Sequence, residues 1–387
     1  MNEIQTDPGY QGFEQGPIRP PSESESLLLR LTRNCSWNRC NFCSVYKRAQ
    51  FSLRPQEHVL ADIDAVHLQL QRVRQLSDGS GEPDYREISK LADGLSDSDQ
   101  RALMAASSWF SGGMRSIFLQ DGNSLVLKPE KLVTILEHIR LRFPSVERIT
   151  SYARSQTIDK ISAPDLERIA AAGLNRIHIG LESGANRVLL LMKKGCDQAQ
   201  HIRAGLKVKQ AGMELSEYVM PGLGGRELSH EHALETAEAL NQINPDFIRL
   251  RSLAIPNHTE LFNQWQSGEF VKLGDREVAQ EILLFIETLN GISSTLKSDH
   301  ILNLFQEIEG TFPQDKPAML GVIQRFQKLP AAEQVIYQVG RRMGLFVRLD
   351  DLERPDCRAR AVDACQRFNI TPENVDLVIE ELMKRFI

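Results

Sequence analysis

Short apolar runs alternate with longer amphipathic stretches over most of the first two thirds of the chain. The short runs are rich in β-branched and aromatic residues, which favours strands, whereas the longer stretches carry the three-to-four-residue apolar spacing of helices. Strands regularly followed by helices are typical of a parallel sheet with right-handed crossovers. The predicted strands are 27–33, 116–120, 146–153, 175–182, 213–220 and 246–253. The predicted helices between them are 56–74, 129–142, 164–172, 185–211 and 229–241.

This alternation is interrupted once and ends near residue 270. Residues 75–113 are polar and Gly-rich apart from ALMAASSWF, and they are predicted to form an insertion after the first helix. Beyond residue 270 we expect helices at 274–290, 299–308, 315–328, 330–343 and 371–386, with one short strand at GLFVRL. The predicted fold class is therefore α/β, a partial TIM barrel of the (β/α)6 type with a helical C-terminal domain. Its predicted parts are an extended N-terminal arm (1–25), the barrel (26–270) and the helical domain (271–387).

Composition and charge narrow the class of protein. With 387 residues, 41% of them hydrophobic and 25% charged, the chain has the composition of an ordinary globular protein. Its net charge of −5 argues against a protein whose main task is to bind a phosphate backbone, so nucleic acid is not an expected partner. No apolar run approaches the ~18 residues of a membrane helix, and the N-terminus lacks the basic and apolar regions of a signal peptide. We expect a cytoplasmic protein with no membrane partner.

Three of the six cysteines are clustered as C-x4-C-x2-C, at Cys35, Cys40 and Cys43. In a cytosolic protein such clustering indicates metal binding rather than disulfides. Three thiolates can hold three irons of a [4Fe–4S] cluster and leave the fourth iron open to an external ligand. On spacing alone, a zinc site with its fourth ligand elsewhere and three unrelated thiols are alternatives. The motif directly follows the first predicted strand, where barrel enzymes place their active sites, and this position favours a catalytic centre.

In this context the sequence resembles the radical S-adenosylmethionine (radical SAM) superfamily over about residues 25–270. The family's usual triad is C-x3-C-x2-C with an aromatic residue before the last cysteine, a position that Phe42 occupies here. The present motif has one extra residue in its first gap. FLQDGNSL (118–125) stands in the place of the family's Gly-rich motif, which meets the methionine amino group of the cofactor. It offers Asp121, Gly122 and Asn123, a variant known among coproporphyrinogen-oxidase-like and methylthiotransferase-like members.

Three further segments match the family in the same order. HIGLESGANRVLLLMKKG (178–195) follows the pattern G-x-E-S-G…V-L…M-x-K-G. The resemblance implies that Glu182 and Ser183 face the cofactor and that Lys194 pairs with its methionine carboxylate. YVMPGLGG (218–225) resembles the Gly-containing turn that lies against the adenine of S-adenosylmethionine in the family. The resemblance implies that Gly222 contacts the adenine. RLRSLAIPNHTELFNQWQSGEF (249–270) resembles the stretch in which these barrels leave the sixth strand.

The resemblance implies two cofactors, a [4Fe–4S] cluster and S-adenosylmethionine. It implies that an electron from a donor such as flavodoxin or ferredoxin cleaves S-adenosylmethionine to methionine and a 5′-deoxyadenosyl radical, which abstracts hydrogen from the substrate. No segment resembles a cobalamin domain, an auxiliary-cluster domain or an RNA-binding module, which favours an oxidoreductase or a rearrangement enzyme acting on a small-molecule substrate. RNA or protein modification is an alternative within the class. A non-enzymatic iron–sulfur electron or cluster carrier is the rival from another class, and it would not need Asp121, Glu182 or Lys194.

Three arginines are candidates from their positions in the strands. Arg154 closes the third strand at the same edge, and its planar guanidinium suits the carboxylate of the cofactor; a surface ion pair is the alternative. Arg249 and Arg251 are two residues apart on the sixth strand and therefore point to one face. If that face is the barrel interior, both need anionic partners. Those partners are either the substrate or cofactor, or carboxylates of neighbouring strands.

The predicted helix 299–308 begins with a group of polar residues after Ser298, its expected N-cap. Asp299 and Asn303 are four residues apart and lie on one helical face. We predict that Asp299 and His300 are catalytic, His300 as a candidate acid, and that Asn303 contacts the substrate. A capping and packing role is the alternative. Cys357 and Cys365 are predicted to be ordinary thiols, and Cys196 is predicted to be a packing residue, with a role in the site as the alternative.

Overall fold

The structure is a computed structural model that describes residues 9–77 and 83–383. These residues form two compact units. The first unit comprises the chain up to Ser36, Arg48–His178 and Gln210–Met213. The second comprises Trp37–Lys47, Ile179–Lys209 and the chain from Glu214 on. Three parts of the predicted regions lie outside the described residues: the first eight residues of the arm, residues 78–82 of the insertion and the last four residues of the helical domain. The division into arm, barrel and helical domain stays a prediction.

The strands of the first unit are mostly parallel. They are β1 (Leu27–Arg30), β2 (Thr32–Arg33), β3 (Ser52–Leu53), β4 (Ser116–Gln120), β5 (Arg148–Ala153) and the start of β6 (Arg176–Glu182). β1 pairs with β4 and β4 with β5 in parallel, so that Phe118 aligns with Leu28 and with Thr150. β2 and β3 form a separate antiparallel pair. Each predicted strand of this part of the chain is present, although the strand predicted over 27–33 is divided between β1 and β2.

The helices of the first unit cover its sheet. They are α1 (Gln56–Gln75), α2 (Tyr85–Asp93), α3 (Asp97–Ser111), α4 (Pro129–Arg142), α5 (Ser155–Lys160) and α6 (Ala163–Ala171), with 3-10 turns at Pro21–Glu23 and Ser124–Val126. The predicted insertion is thus largely helical, and Ser96 caps α3 by accepting the backbone N–H of Asp99. α1 packs against α3 and α4 through fully buried side chains such as Ile63 and Leu103. Burying an aliphatic side chain of this size contributes ~1.5–3 kcal/mol.

The second unit continues the parallel arrangement. Its strands are the rest of β6, β7 (Glu214–Val219), β8 (Phe247–Leu250), β9 (Thr295–Lys297) and β10 (Gly310–Thr311). β7 pairs with β8 and β8 with β9 in parallel, and β10 pairs antiparallel with β9. The mostly parallel α/β arrangement confirms the predicted fold class. β9 and β10 correct the expectation that strands end near residue 270; strands of two or three residues are too short to show an alternating pattern.

The remaining helices follow the strands of the second unit and fill its C-terminal part. They are α7 (Asn186–Leu191), α8 (Gln198–Gln210), α9 (Gly225–Ile243), α10 (Glu260–Gln266), α11 (Asp275–Thr288), α12 (Lys316–Lys328), α13 (Ala331–Arg342), α14 (Pro355–Arg367) and α15 (Val375–Met383). The single helix predicted over 185–211 is instead α7 and α8. Lys193 and Gly195, with φ of 53° and 75°, adopt the left-handed conformation that ends helices.

Two predictions for the C-terminal part are wrong. Residues 299–308 form turns rather than a helix, and Ser298 does not cap one: its hydroxyl donates to the carbonyl of Phe305 at 2.6 Å and accepts from Asn303 at 3.0 Å. Short polar side chains that bind nearby backbone groups compete with helix formation in this way. GLFVRL is not a strand and leads into a 3-10 turn at Leu349–Glu353.

Candidate functional site

The clustered cysteines lie in an irregular loop between β2 and β3. None forms a disulfide, and all three are half-buried. Asn34 and Asn38 shape the loop with φ of 70° and 47°, a left-handed conformation that Asn tolerates better than most residues. Cys35 belongs to the first unit, and Cys40 and Cys43 belong to the second. Among the described residues, no three His, Cys, Asp or Glu side chains form a group that could hold a metal ion. The assignment of all three thiols as iron ligands therefore stays a prediction.

In the first unit, the segment that follows β4 lies beside Cys35. Asp121 is fully buried with a φ of 72°, and its Oδ2 accepts hydrogen bonds from Arg30 Nε at 2.7 Å and from the backbone N–H of Asn34 at 3.2 Å. A Cβ added to Gly122 would lie 3.5 Å from Cys35 Sγ, so the glycine lets this backbone approach the thiol closely. The Asp121 carboxylate thus holds the backbone that precedes Cys35, and its predicted contact with a cofactor stays a prediction.

Asn123 joins the cysteine loop to the end of β5. Its Nδ2 donates to Ser36 Oγ at 3.2 Å and to Thr157 Oγ1 at 2.8 Å, and its Oδ1 accepts the backbone N–H of Arg154 at 3.3 Å. Arg154 immediately precedes α5, and its NH1 donates to Gln156 at 3.4 Å. The structure therefore brings Asn123 and Arg154 together through a hydrogen bond between the Asn123 side chain and the Arg154 backbone. Their predicted roles toward a cofactor stay predictions.

In the second unit, the part of the loop that carries Cys40 and Cys43 is attached to the turn after α7. Trp37 Nε1 donates to the carbonyl of Lys193 at 2.8 Å, and Asn41 Nδ2 donates to the carbonyl of Leu191 at 2.9 Å. Phe42 is partly buried and packs against an apolar cluster formed by residues of α7, α10 and the segments near them. The loop is thus fixed next to the segment that carries Lys194.

Glu182 and Lys194 form an ion pair in the second unit. Lys194 Nζ lies 3.1 Å from Glu182 Oε1. The side chain of Glu182 is 15% exposed and that of Lys194 is 12% exposed. Gly180 lets the pair lie against the backbone of β6, because a Cβ there would overlap the Glu182 carboxylate and lie 3.1 Å from Lys194 Nζ. Glu182 has a φ of 62°, a conformation that costs of order 1–3 kcal/mol for a residue other than glycine and is concentrated at functional sites.

Ser183 and the turn at Gly222 are held by side chains from α9 and α11. His232 is buried; its Nδ1 lies 2.8 Å from Ser183 Oγ, and its Nε2 donates to the carbonyl of Met220 at 3.1 Å. Glu281 is also buried and accepts the backbone N–H of Gly222 at 2.6 Å. Gly222 has a φ of 86°, which glycine adopts without strain. The sequence analysis did not anticipate His232 or Glu281.

The two arginines of the β8 region have different surroundings. Arg249 is buried, and its NH1 donates to Asp299 at 2.5 Å, so a protein carboxylate supplies its anionic partner. Asn303 is buried too; its Nδ2 donates to the carbonyl of Leu250 and its Oδ1 accepts the backbone N–H of Ser252, both at 2.9 Å. These contacts match the packing alternative for Asn303. The substrate roles of Arg249 and Asn303 stay predictions.

Arg251 and His300 influence each other electrostatically. The Arg251 guanidinium carbon lies 5.0 Å from the centroid of the Tyr218 ring, and its buried Nε has no hydrogen-bond partner among the described residues. Burial, followed by the charge of Arg251, lowers the pKa of His300 to about 4, and the charge of Asp299 acts in the opposite direction. The imidazole is therefore neutral at pH 7. The predicted role of His300 as an acid requires that a ligand raise this pKa.

The cysteine loop, the segment at Asp121 and the Glu182–Lys194 pair all lie in a region that matches one family model. The family model described as the radical SAM superfamily matches residues 29–240, which is more than half of the chain. The chain belongs to the radical SAM superfamily. The predicted family membership is confirmed.

Individual radical SAM relatives cover smaller parts of the chain. A tRNA uridine(34) acetyltransferase of Methanocaldococcus infernus is 26% identical over 32% of this chain and 23% of its own length. The heme chaperone HemW of Bacillus subtilis is 25% identical over 40% of this chain and 41% of its own. The structure of coproporphyrinogen III oxidase (HemN) from Escherichia coli aligns with a TM-score of 0.44 at 16% identity, covering 68% of this chain and 52% of that one. The chain thus spans about a quarter to two fifths of the length of these two curated relatives.

Radical SAM proteins bind a [4Fe–4S] cluster and S-adenosylmethionine, so the predicted cofactors are confirmed at the level of the family. The residues of this chain fit both groups. The thiols of Cys35, Cys40 and Cys43, none of which is in a disulfide, are the donors that iron–sulfur clusters require. Within the second unit, the missing side chain at Gly180 accommodates the largely buried Lys194 ammonium and Glu182 carboxylate, the charges that complement an amino-acid group. No helix among the described residues is long and apolar enough to cross a membrane.

Glu217 is a candidate that the sequence analysis missed. It lies within β7 and is fully buried, and neither carboxylate oxygen has a hydrogen-bond partner among the described residues. Burial raises the pKa of Glu217 well above its ordinary value; the charge of Lys194 lowers this pKa and that of Glu182 raises it. Perturbed carboxyl groups of this kind are concentrated at functional sites. The available signal was a Glu inside the run MELSEYVM, which reads as an ordinary strand.

Proposed function

We propose that this radical SAM protein is an enzyme that reductively cleaves S-adenosylmethionine and abstracts a hydrogen atom from a small-molecule substrate. The observation that carries the proposal is the Glu182–Lys194 ion pair, which is nearly buried against the backbone of Gly180. Two charges removed from water are costly unless they serve a ligand or the fold. A non-enzymatic cluster carrier would need the cysteines but would have no use for an amino-acid-binding pair.

The side chains of the chain have separate tasks in this proposal. The thiolates of Cys35, Cys40 and Cys43 would hold a [4Fe–4S] cluster through three of its irons, and the cluster would supply the electron that cleaves S-adenosylmethionine. The Lys194 ammonium binds the methionine carboxylate, and Glu182 orients that ammonium. The cluster and S-adenosylmethionine, when bound, supply a 5′-deoxyadenosyl radical for hydrogen abstraction.

Three buried groups position the remainder of the cofactor. Ser183 and the turn at Gly222 are kept in place by His232 and Glu281, so their geometry does not depend on the ligand. Burial raises the pKa of Glu217 and so favours its protonated form, which offers an O–H donor and a carbonyl acceptor to the hydroxyl groups of a ligand. The required electron comes from a donor such as flavodoxin or ferredoxin, and we propose the cytoplasm as the compartment. Oxidation or rearrangement is the proposed outcome for the substrate.

Action on tRNA is the second candidate. Two archaeal relatives named tRNA uridine(34) acetyltransferase align with 32% and 34% of this chain. A tRNA-binding protein gains much of its affinity from basic surfaces that neutralise phosphates. The net charge of −5 disfavours such a surface, so we place the small-molecule substrate first.

The test is an anaerobic assay of the reconstituted protein. We expect about four irons and four sulfides per chain, as in one [4Fe–4S] cluster, and formation of 5′-deoxyadenosine from S-adenosylmethionine and a chemical reductant. Cys35→Ala, Cys40→Ala and Cys43→Ala should each abolish both. Cys357→Ala, which removes a half-buried free thiol of α14, is the matched control and should leave both unchanged.

Two outcomes contradict the proposal in different ways. Zinc at full occupancy in protein purified without oxygen, with no uptake of iron, contradicts the cluster. A complete cluster that never yields 5′-deoxyadenosine supports the carrier instead. Addition of bulk tRNA tests the second candidate, because a tRNA substrate should stimulate 5′-deoxyadenosine formation.

A further inference from the structure

We infer that Arg251 is the binding site for an anionic group of the substrate, a carboxylate or a phosphate. This inference rests on the proposed function, since it concerns the substrate of that reaction. It assigns different roles to Arg251 and Arg249, although the two arginines are only two residues apart and carry the same guanidinium group.

The first observation is the difference in pairing between the two arginines. Arg249 has a carboxylate partner, Asp299, at 2.5 Å. Arg251 has neither an ion pair nor a side-chain hydrogen bond among the described residues, and its Nε is buried. Arg251 is half-buried, and the hydration that its Nε loses is not replaced by any acceptor among the described residues. An anionic ligand would restore both the charge balance and the hydrogen bonds.

The second observation is that Arg251 is held in one orientation. Its backbone N–H donates to the carbonyl of Val219 at 2.9 Å, which extends the pairing of β7 and β8 by one step. Its guanidinium lies over the Tyr218 ring, with the carbon 5.0 Å from the ring centroid. A cation–π contact of this kind limits where the guanidinium can lie and does not use its N–H groups as hydrogen-bond donors, which suits the binding of a planar or tetrahedral oxyanion.

The third observation is the position of Arg251 in the fold. It follows the last residue of β8, and ligands of parallel α/β folds bind at the carboxyl ends of the strands. The turn that follows β9 carries His300, whose Nδ1 accepts the backbone N–H of Leu302 at 3.4 Å. The proton of the neutral imidazole is then on Nε2, which is a second donor for an oxyanion.

The charges near His300 favour an anion over a cation. Arg251 and Asp299 are the charged groups that act on its imidazole, and Asp299 is already engaged by Arg249. The uncompensated charge is therefore positive. A cationic or a purely apolar substrate group at this position would provide no acceptor for Arg251, which has none among the described residues.

The experiment measures anion binding to the cluster-loaded protein with inorganic phosphate and succinate as probes. Histidine-selective ¹³C NMR follows the His300 signal, which is identified by its absence in His300→Gln. The wild type should bind both anions, and each should raise the pKa of His300 by offsetting the charge of Arg251. Arg251→Gln should bind them at least about tenfold more weakly, since a charge-assisted contact is lost. Arg251→Lys should retain part of the affinity.

Two controls separate this effect from misfolding and from the cofactor. Arg325→Gln removes an exposed arginine of the same unit, one that pairs with Asp350, and should behave as the wild type. Unfolding midpoints should show that the Arg251 variants are folded. If Arg251→Gln does not fold, the anion affinity of Arg251→Lys is compared with that of the wild type instead. Binding of S-adenosylmethionine to Arg251→Gln should match the wild type.

Three results would overturn the inference: equal anion affinity in the wild type and Arg251→Gln, no response of the wild type to either anion, and loss of S-adenosylmethionine binding in Arg251→Gln. The last would assign Arg251 to the carboxylate of the cofactor rather than to the substrate. Failure of the proposed function is a distinct result, namely a wild type that binds phosphate as expected but forms no 5′-deoxyadenosine.

Discussion

Arg30 Nε and Asp121 Oδ2 lie 2.7 Å apart just beyond the carboxyl ends of β1 and β4. The same oxygen accepts the backbone N–H of Asn34 at 3.2 Å, so one buried carboxylate joins two strand ends to the residue before Cys35. Arg30 also lies 3.5 Å from Glu14 of the N-terminal segment. The position of the first thiol therefore depends on a charge network that reaches beyond the cysteine loop.

We predict that Asp121→Asn keeps the fold but makes the cluster easier to lose. The substitution leaves the Arg30 guanidinium with a weaker partner and removes a charge-assisted bond to the loop backbone, at a cost of about 1–3 kcal/mol. Iron release to a chelator should be faster than in the wild type. Asp350→Asn, in which an exposed pair with Arg325 is lost, is the control and should release iron at the wild-type rate. Equal rates in the two variants would remove Asp121 from this role.

We predict that Lys194→Ala retains the cluster but binds S-adenosylmethionine more weakly. The loss of a charged partner for the methionine carboxylate should cost on the order of 1.5–3 kcal/mol, and Glu182→Ala should weaken binding in the same direction. Lys193→Ala is a close control, because the adjacent residue pairs with Glu260 on the surface. Equilibrium binding of labelled S-adenosylmethionine measures the difference. Unchanged affinity in both Lys194→Ala and Glu182→Ala would show that these positions do not bind the cofactor.

The sequence predicted the strands well because burial of a parallel strand requires a continuous apolar run. Strands such as β4 and β6 therefore appear at their predicted positions. The errors occur where local hydrogen bonds decide the conformation. The turn at 299–308 has an apolar spacing compatible with a helix, yet the bonds of Ser298 and Asn303 to the backbone select a different path. Such bonds depend on partners that no local pattern contains.

The candidate site was predictable to the extent that its residues belong to sequence motifs. Lys194 and Glu182 were found in this way, and the structure pairs them. His232 and Glu281 could not be found, because they reach their partners from helices that are distant in the sequence. Glu217 becomes a candidate only through the tertiary structure, in which its side chain is buried with no hydrogen-bond partner among the described residues.

We predict that Glu217→Gln stabilises the protein at alkaline pH relative to the wild type. The pKa of Glu217 is raised in the folded state, so the folded protein binds more protons than the unfolded chain above the ordinary pKa of 4.5. The stability of the wild type should therefore fall as the pH rises from that value toward the folded pKa. Glutamine cannot ionise and should remove this part of the pH dependence. Urea unfolding at pH 5 and pH 8 measures it, and a difference between variant and wild type that is the same at both pH values would contradict the prediction.

The final prediction concerns His300, whose folded pKa is about 4 against an ordinary value of 6.5. Between these values the unfolded chain binds a proton that the folded protein does not bind, so stability rises with pH across this window and is lost as the pH falls through it. His300→Gln should remove this contribution, which is on the order of 1–3 kcal/mol after allowance for partial exposure. The variant should therefore be more stable relative to the wild type at pH 5 than at pH 7.5.

The measurement is the urea midpoint of both proteins at the two pH values, which cancels groups that titrate identically in each. His258→Gln, which changes an exposed histidine of the same unit, is the control and should show no such difference between the two pH values. Arg251→Gln provides an independent check, because removing the charge that depresses the His300 pKa should shrink the pH effect in the otherwise unchanged protein. If His300→Gln and the wild type lose stability in parallel between pH 7.5 and pH 5, the imidazole is not held neutral by its burial and by Arg251.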